Sequence, residues 1–373
     1  MTPACDCVVI GAGIAGAASA RALARAGRRV VLLGAEEAGA ATPAAAGMLA
    51  PQIEAHAGDP MLPFALAARE RCMAVARELA AAGHDTGLRQ EGIVHVALDP
   101  AGAEELRRQA DAQRALGLEA AWWDREELVR RHPHIGDEAA GASFAPRDGN
   151  LDNLALLAAL LADAEAAGAA VRRSSPALEI LVTGSRVAGV RTAAGTISAQ
   201  TVVVAAGAWS PRLAGLPRAL PVAPVRGQMA LAPWPAREPR AVLFGPGGYI
   251  VPRGEHAVLG STMEHAGFDP ATTAEGIAHI RTTTGRILPP LLTFPILRTW
   301  AGLRPLTPDT RPILGHDPDV SGLLYNTGHG RNGILIGPLT GDVVRDLVVQ
   351  GGTSWDLAPY AVSRFTATRE AAG

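Results

Sequence analysis

The first 34 residues carry the clearest pattern in the chain. Val8-Val9-Ile10 is a β-branched run without polar alternation, and Val30 to Leu33 is a second apolar run. Between them lie a glycine cluster and an Ala-rich stretch ending at Gly27. Strands that are apolar at every position are buried on both faces, as in a parallel sheet. The order strand, tight turn, helix, strand follows, with glycine closing the helix. Residues 35 to 60, with many small residues and prolines, predict loop. Helices are expected over Pro60 to Ala82 and Asn153 to Ala167. The segments "ALEILV", "RVAGVRT" and "TISAQTVVVAAGAWS" read as a three-strand meander. From Pro221 to Leu303 strands alternate with one helix near Thr272 to Leu288. A strand at Leu323 to Asn326, a glycine turn and a helix from Gly333 to Val349 complete the pattern.

The strand–helix pieces at both ends and in the middle predict one discontinuous α/β domain over residues 1–85, 145–220 and 300–373. The strand-rich pieces, 86–144 and 221–299, predict a second, sheet-rich domain, for an α/β (α+β) chain overall. No apolar run reaches the ~20 residues that span a bilayer. The candidate near Leu151 to Leu161 soon meets Asp163 and Glu165 and reads as an amphipathic helix. The N-terminus lacks a basic leader before its apolar run and reads as strand–turn–helix, not as a signal peptide.

A length of 373 residues suits two lobes. The net charge is −2 and no basic block is present, which argues against a nucleic-acid partner. All 34 basic residues are arginine. Without lysine there is neither a Schiff-base residue for pyridoxal phosphate nor a P-loop. Three cysteines, Cys5, Cys7 and Cys72, make no disulfide framework and suit a reducing cytosol. Cys5-x-Cys7 has no second ligand pair. His132-Pro-His134 has no convergent third ligand and reads as a surface loop, so no metal is expected.

Gly11-x-Gly13-x-x-Gly16 lies between the first strand and its helix. The first glycine permits the turn, the second lets backbone approach a pyrophosphate, and the third lets helix pack on strand. Free N–H groups and the helix dipole then favour phosphate. The acid expected at the end of the second strand is missing: Gly34 stands there, with Glu36 and Glu37 just beyond. Each reads equally as a ribose ligand or as a surface charge. Two further glycine turns, after "TVVVAA" and in "TGHGRNGILIG", come from distant parts of the chain. Three close-approach turns suit a long FAD better than NAD.

Arg304, in "TWAGLRPLTPDTRPILG", sits between apolar residues and prolines, a poor setting for a solvated charge. Its anion is either Asp309, in an internal salt bridge, or a carboxylate from outside. Arg331 lies in the turn that opens the last helix. Tyr249, in "GGYIVPR", reads from its neighbours as a core tyrosine. His329 contributes at least its backbone to its turn.

The stretches "VVIGAGIAG", "ATPAAAGMLAP", "VVVAAGAWS", "GGYIVPR", "WAGLRPLTPDTRPILG" and "GHGRNGILIGPLTG" fall in order across nearly the whole chain. In these the sequence resembles the D-amino-acid-oxidase superfamily of FAD oxidoreductases, most of all the glycine oxidases of thiamine biosynthesis. The resemblance implies a Rossmann-like FAD-binding domain and a sheet-rich substrate domain. It implies that FAD lies against Ile14, Ala15, Gly34, Ala35, Thr42, Ala46, Gly47, Met48 and Ala177, beyond the turn glycines. It adds the segment His329, Gly330, Arg331, Asn332, Gly333, Ile334 and Leu335. Tyr249, Arg304 and Arg331 match the substrate-site positions, with Arg304 on the substrate carboxylate. The implied reaction is oxidative deamination of a small amino acid, with molecular oxygen reoxidising the flavin. A cytoplasmic location and a homotetramer are the implied setting. No cysteine follows Cys72, so the flavin is expected to be noncovalent. Rival readings are a D-amino-acid dehydrogenase, a sarcosine-type amine oxidase, and an FAD-binding subunit of a larger dehydrogenase.

Overall fold

The computed structural model describes residues 5–54 and 59–365. The first sheet runs, in spatial order, Ile313–His316, Leu323–Thr327, Gly195–Val204, Cys5–Ile10, Val30–Leu33 and Ala170–Arg172. Its strands from Leu323–Thr327 onward pair in parallel, and Ile313–His316 is an antiparallel edge. The meander strands Ala177–Thr183 and Arg186–Thr192 extend antiparallel from Gly195–Val204. The unalternating apolar runs have the expected cause. Cys7, Val9, Val30 and Leu32 pack on helices on one face, while Val8, Ile10, Val31 and Leu33 pack towards the meander on the other. All three cysteines are free and buried.

The helices on this sheet are Ile14–Arg25, Leu62–Ala81, Asn153–Ala166 and Gly333–Val349, close to expectation. The first and last cross closely, because a side chain at Gly341 would begin 2.6 Å from the Ala18 backbone.

The second sheet has eight strands, in the order Arg298–Leu306, Ala223–Pro233, His256–Gly260, Gly248–Arg253, Val242–Gly245, Ile93–Ala97, Gly141–Ala145 and Ala121–Asp124. One pairing, Val242–Gly245 with Ile93–Ala97, is parallel. Helix Ala274–Ile287 packs on this sheet. Strand Arg298–Leu306 belongs wholly to it, so a division at residue 300 cuts through a strand.

Residues 35 to 60 differ from the expected loop. They contain the short helices Ala41–Ala44 and Pro51–Glu54 and the strand Met48–Leu49, which pairs with Gly149–Asn150; positions 55–58 lie outside the described residues. Tertiary bonds hold this segment. Trp300 Nε1 donates to Ala44 O at 3.1 Å, and Leu303 N–H donates to Gly39 O at 2.8 Å. His132 is also not on a surface loop. It is buried, with Nδ1 2.6 Å from Glu238 Oε1, and His134 Nδ1 lies 3.2 Å from Oε2 of the same carboxylate.

Candidate active site

The carboxyl ends of the parallel strands open into a cavity of about 450 Å³, which reaches across to the second sheet. Ligands of open α/β sheets bind at this end. Every expected site residue except Gly16 and Leu335 lines it. Gly16 instead carries the packing role of the third turn glycine: a Cβ there would sit 1.7 Å from Gly11 O. Leu335 is buried in the helical core. Gly11 has φ +115°, and a side chain there would begin 2.3 Å from Ala205 O. The turn is therefore closed against the second glycine segment, Ala205 to Gly207, which lines the same cavity.

Two helices begin at the cavity, Ile14–Arg25 and Gly333–Val349. Neither has a side-chain cap or an acidic residue in its first turn. Thr42 Oγ1 accepts the Ile14 N–H at 3.1 Å. The positive ends of both dipoles thus face the cavity, as a pyrophosphate and an electron-rich ring require.

An orphaned acceptor is also buried behind the cavity wall. Asn326 is fully buried; its Nδ2 donates to Ser19 Oγ at 2.9 Å, while Ser19 Oγ donates to Ala15 O at 2.7 Å. That chain fixes the amide orientation and leaves Asn326 Oδ1 buried without a partner. What opens on the cavity is the pair of uncapped helix N-termini, whose backbone N–H groups suit the anionic pyrophosphate of FAD. The residues present therefore fit FAD.

The ribose end departs from the usual pattern for a steric reason. A Cβ at Gly34 would lie 2.6 Å from Arg173 O and 2.9 Å from Ala12 Cβ. Glu36 and Glu37, both exposed, line the cavity instead. Ser174 Oγ donates to Glu36 Oε1 at 2.6 Å.

Arg304 reaches the cavity from strand Arg298–Leu306. Asp309 is not its partner: that carboxylate accepts from Arg364 at 2.7 and 3.1 Å. Arg304 Nη2 donates to Ser261 Oγ at 2.7 Å, and Nη1 donates to Thr262 O at 3.1 Å. Among the described residues no carboxylate pairs with it. Space for the guanidinium comes from Gly227 on the neighbouring strand, where a Cβ would sit 2.0 Å from Nη1. Neutral contacts orient this cation without neutralising it, and each Nη keeps an N–H for an incoming anion.

Tyr249 is buried among apolar residues, with its ring stacked on Phe244 at 6.3 Å, and its hydroxyl donates to Met229 Sδ at 3.5 Å. It is a core tyrosine whose ring also lines the cavity. Arg331 is engaged by Glu54, Nη2 to Oε1, at 2.9 Å. His329 is buried beside Thr340, and burial pulls its imidazole down to about 4, so it is neutral near pH 7. Gly330 N–H donates to Pro305 O at 2.9 Å, which ties this turn to the strand of Arg304.

Gly227, Ser261, Glu54 and Asn326 escaped the reading of the sequence. For Gly227 a signal existed, since a lone glycine inside a strand marks a close approach.

A profile of the family described as DAO, FAD dependent oxidoreductase, matches residues 6–347. The chain belongs to this family. It is 35% identical over 370 residues to a glycine oxidase of Geobacillus kaustophilus (strain HTA426), covering 98% of each chain. The crystal structure of glycine oxidase from Geobacillus kaustophilus superposes with a TM-score of 0.92 at 34% identity, over 97% of this chain and 99% of that one. The bifunctional protein ThiO/ThiG of Synechocystis sp. (strain ATCC 27184 / PCC 6803 / Kazusa) is 34% identical over 373 residues, 97% of this chain. The DAO-family chain spans about half, 54%, of that longer protein. Among the described residues no helix is long and apolar enough to cross a membrane.

Proposed function

We propose that this protein is an FAD-dependent oxidase of glycine or a similarly small amino acid, serving thiazole formation in thiamine biosynthesis. Glycine, oxygen and water would give glyoxylate, ammonia and hydrogen peroxide. The observation that carries the reading is the Arg304 guanidinium, oriented by Ser261 and Thr262 and, among the described residues, free of a carboxylate partner. Arginine grips a carboxylate through parallel N–H donors, which fixes orientation as well as affinity.

Noncovalent FAD, when bound, supplies the acceptor for the hydride leaving the α-carbon. Arg304 holds the substrate carboxylate, so the α-carbon has one approach. Tyr249, Met229 and Met48 form apolar walls that exclude water from the amine, favouring its neutral form. His329 is neutral and engaged with Thr340, so it adds no competing cation beside the amine. The names of the relatives support a small amino acid as substrate and oxygen as acceptor. A cytoplasmic homotetramer completes the proposal; the buried free thiols suit a reducing compartment.

The deciding experiment mixes the FAD-loaded protein with glycine without oxygen and follows the flavin absorbance. Bleaching that reverses in air with peroxide formed is expected. Bleaching that persists in air would replace the oxidase by a dehydrogenase using another acceptor. No bleaching with glycine, sarcosine, D-proline or D-alanine would refute the amino-acid oxidase.

A further inference from the structure

Two arginines among the described residues line the cavity, and their circumstances differ. Among the described residues Arg304 has no carboxylate partner, whereas Arg331 is paired with Glu54 at 2.9 Å. The Glu54 side chain is 18% exposed and that of Arg331 42%, so the pair stands at the cavity mouth with its carboxylate on the inner side.

Glu54 ends the four-residue helix Pro51–Glu54, which is too short to be stable alone. A buried network holds it. Asp148, fully buried, accepts the N–H groups of Gln52 at 3.2 Å and Ile53 at 3.4 Å. Its other oxygen pairs with the buried Arg69 at 2.7 Å, and Arg69 also donates to Gln52 Oε1 at 2.7 Å. Gln52 Nε2 donates to Glu119 O at 3.0 Å, and Gln113 Nε2 donates to Gln52 O at 2.7 Å. A buried ion pair is a costly way to hold one turn of helix. What that turn presents to the cavity is Glu54.

We propose that Glu54 is a specificity-determining residue that restricts the site to amino acids with a single anionic group. Paired, Arg331 offers almost no net attraction to an anion. A substrate with a second carboxylate or phosphonate would have to break that pair and then face the Glu54 carboxylate. Rejection by an unfavourable charge is as effective a source of specificity as attraction to the right partner. This inference rests on the assignment of Arg304 to the substrate carboxylate.

The test reads binding rather than turnover. FAD-loaded protein is titrated with methoxyacetate, which has one carboxylate, and with oxydiacetate, which has two. Neither carries an amine to be oxidised, and Kd comes from the change in flavin absorbance. The natural chain is expected to favour methoxyacetate. Glu54→Gln is expected to improve oxydiacetate relative to methoxyacetate by about tenfold, the worth of one freed charge-assisted contact. Adding Arg331→Gln to that variant is expected to abolish the gain. Arg331→Gln alone leaves Glu54 unpaired and is expected to sharpen the preference for one carboxylate, which supplies a second arm if Glu54→Gln fails to fold. An unchanged ratio in either single variant, or a gain that survives in the double variant, overturns the inference. If glycine still bleaches the flavin in that case, the proposed function stands. If neither carboxylate perturbs the flavin, the Arg304 assignment falls and this inference with it.

Discussion

Gly227→Ala isolates the grip of Arg304 from the stability of the fold. The added methyl would sit 2.0 Å from Nη1 and 2.4 Å from Cζ and Nη2 of Arg304. Ordinary contact needs roughly 3.5 Å, so the guanidinium must retreat by about 1.5 Å. The 2.7 Å bond to Ser261 Oγ does not survive such a shift, and the two Nη groups lose their aim. The crowded atoms are the end of a flexible side chain, and the Gly227 backbone is not in the left-handed region, so alanine fits the strand itself. Stability should change by less than about 1 kcal/mol. Losing a charge-assisted grip of about 1.5–3 kcal/mol raises the KM for glycine about 10–150-fold. The assay is steady-state peroxide formation against glycine concentration, with Tm measured on the same FAD-loaded samples and Arg304→Gln alongside. A folded, yellow Gly227→Ala protein with the KM of the natural chain would refute the reasoning.

Gly34→Asp restores the acid common at the end of the second strand, yet its Cβ would collide with Arg173 O and Ala12. It should lower stability by about 1–3 kcal/mol and weaken FAD binding, read by thermal unfolding and flavin fluorescence; tighter binding would contradict the steric argument. His329, held at about 4 by burial, makes stability depend on acid. Between about pH 6.5 and 4 the unfolded chain binds a proton that the folded chain refuses, so stability falls as pH drops through that window, by on the order of 3 kcal/mol. His329→Gln should flatten the slope of Tm against pH there; part of the slope remains, because His95 is held low by burial in the same window. An unchanged slope would remove His329 as a source.

The strand–turn–helix units at both ends were legible because local patterns specify them. β-Branched runs buried on both faces and glycines at forced turns depend little on distant partners. Helix Gly333–Val349 falls where its pattern predicts. The short helices Ala41–Ala44 and Pro51–Glu54 were illegible, because contacts with Trp300 and Asp148, far away in sequence, hold them. The same limit explains His132, whose partner Glu238 lies on another segment. Asp309 was a tempting mate for Arg304 by proximity in sequence. An extended strand carries neighbours apart, and Arg364 took the carboxylate. Arg304 itself was legible as a cation in apolar company, but Gly227, on the neighbouring strand, and Ser261, just beyond the end of strand His256–Gly260, which aim it, lie far away in sequence.

The buried cysteines acquire a meaning from the proposed chemistry. Hydrogen peroxide attacks thiolates, and a thiol becomes vulnerable in proportion to its ionised fraction and its access. Desolvation pushes the thiols of Cys7 and Cys72 up to about 12, and raises that of Cys5 as well. At pH 7 roughly one Cys7 or Cys72 thiol in 10⁵ is then ionised. The proposed chemistry would release an oxidant from the cavity, and the thiols stand protonated inside the core, where peroxide meets little thiolate.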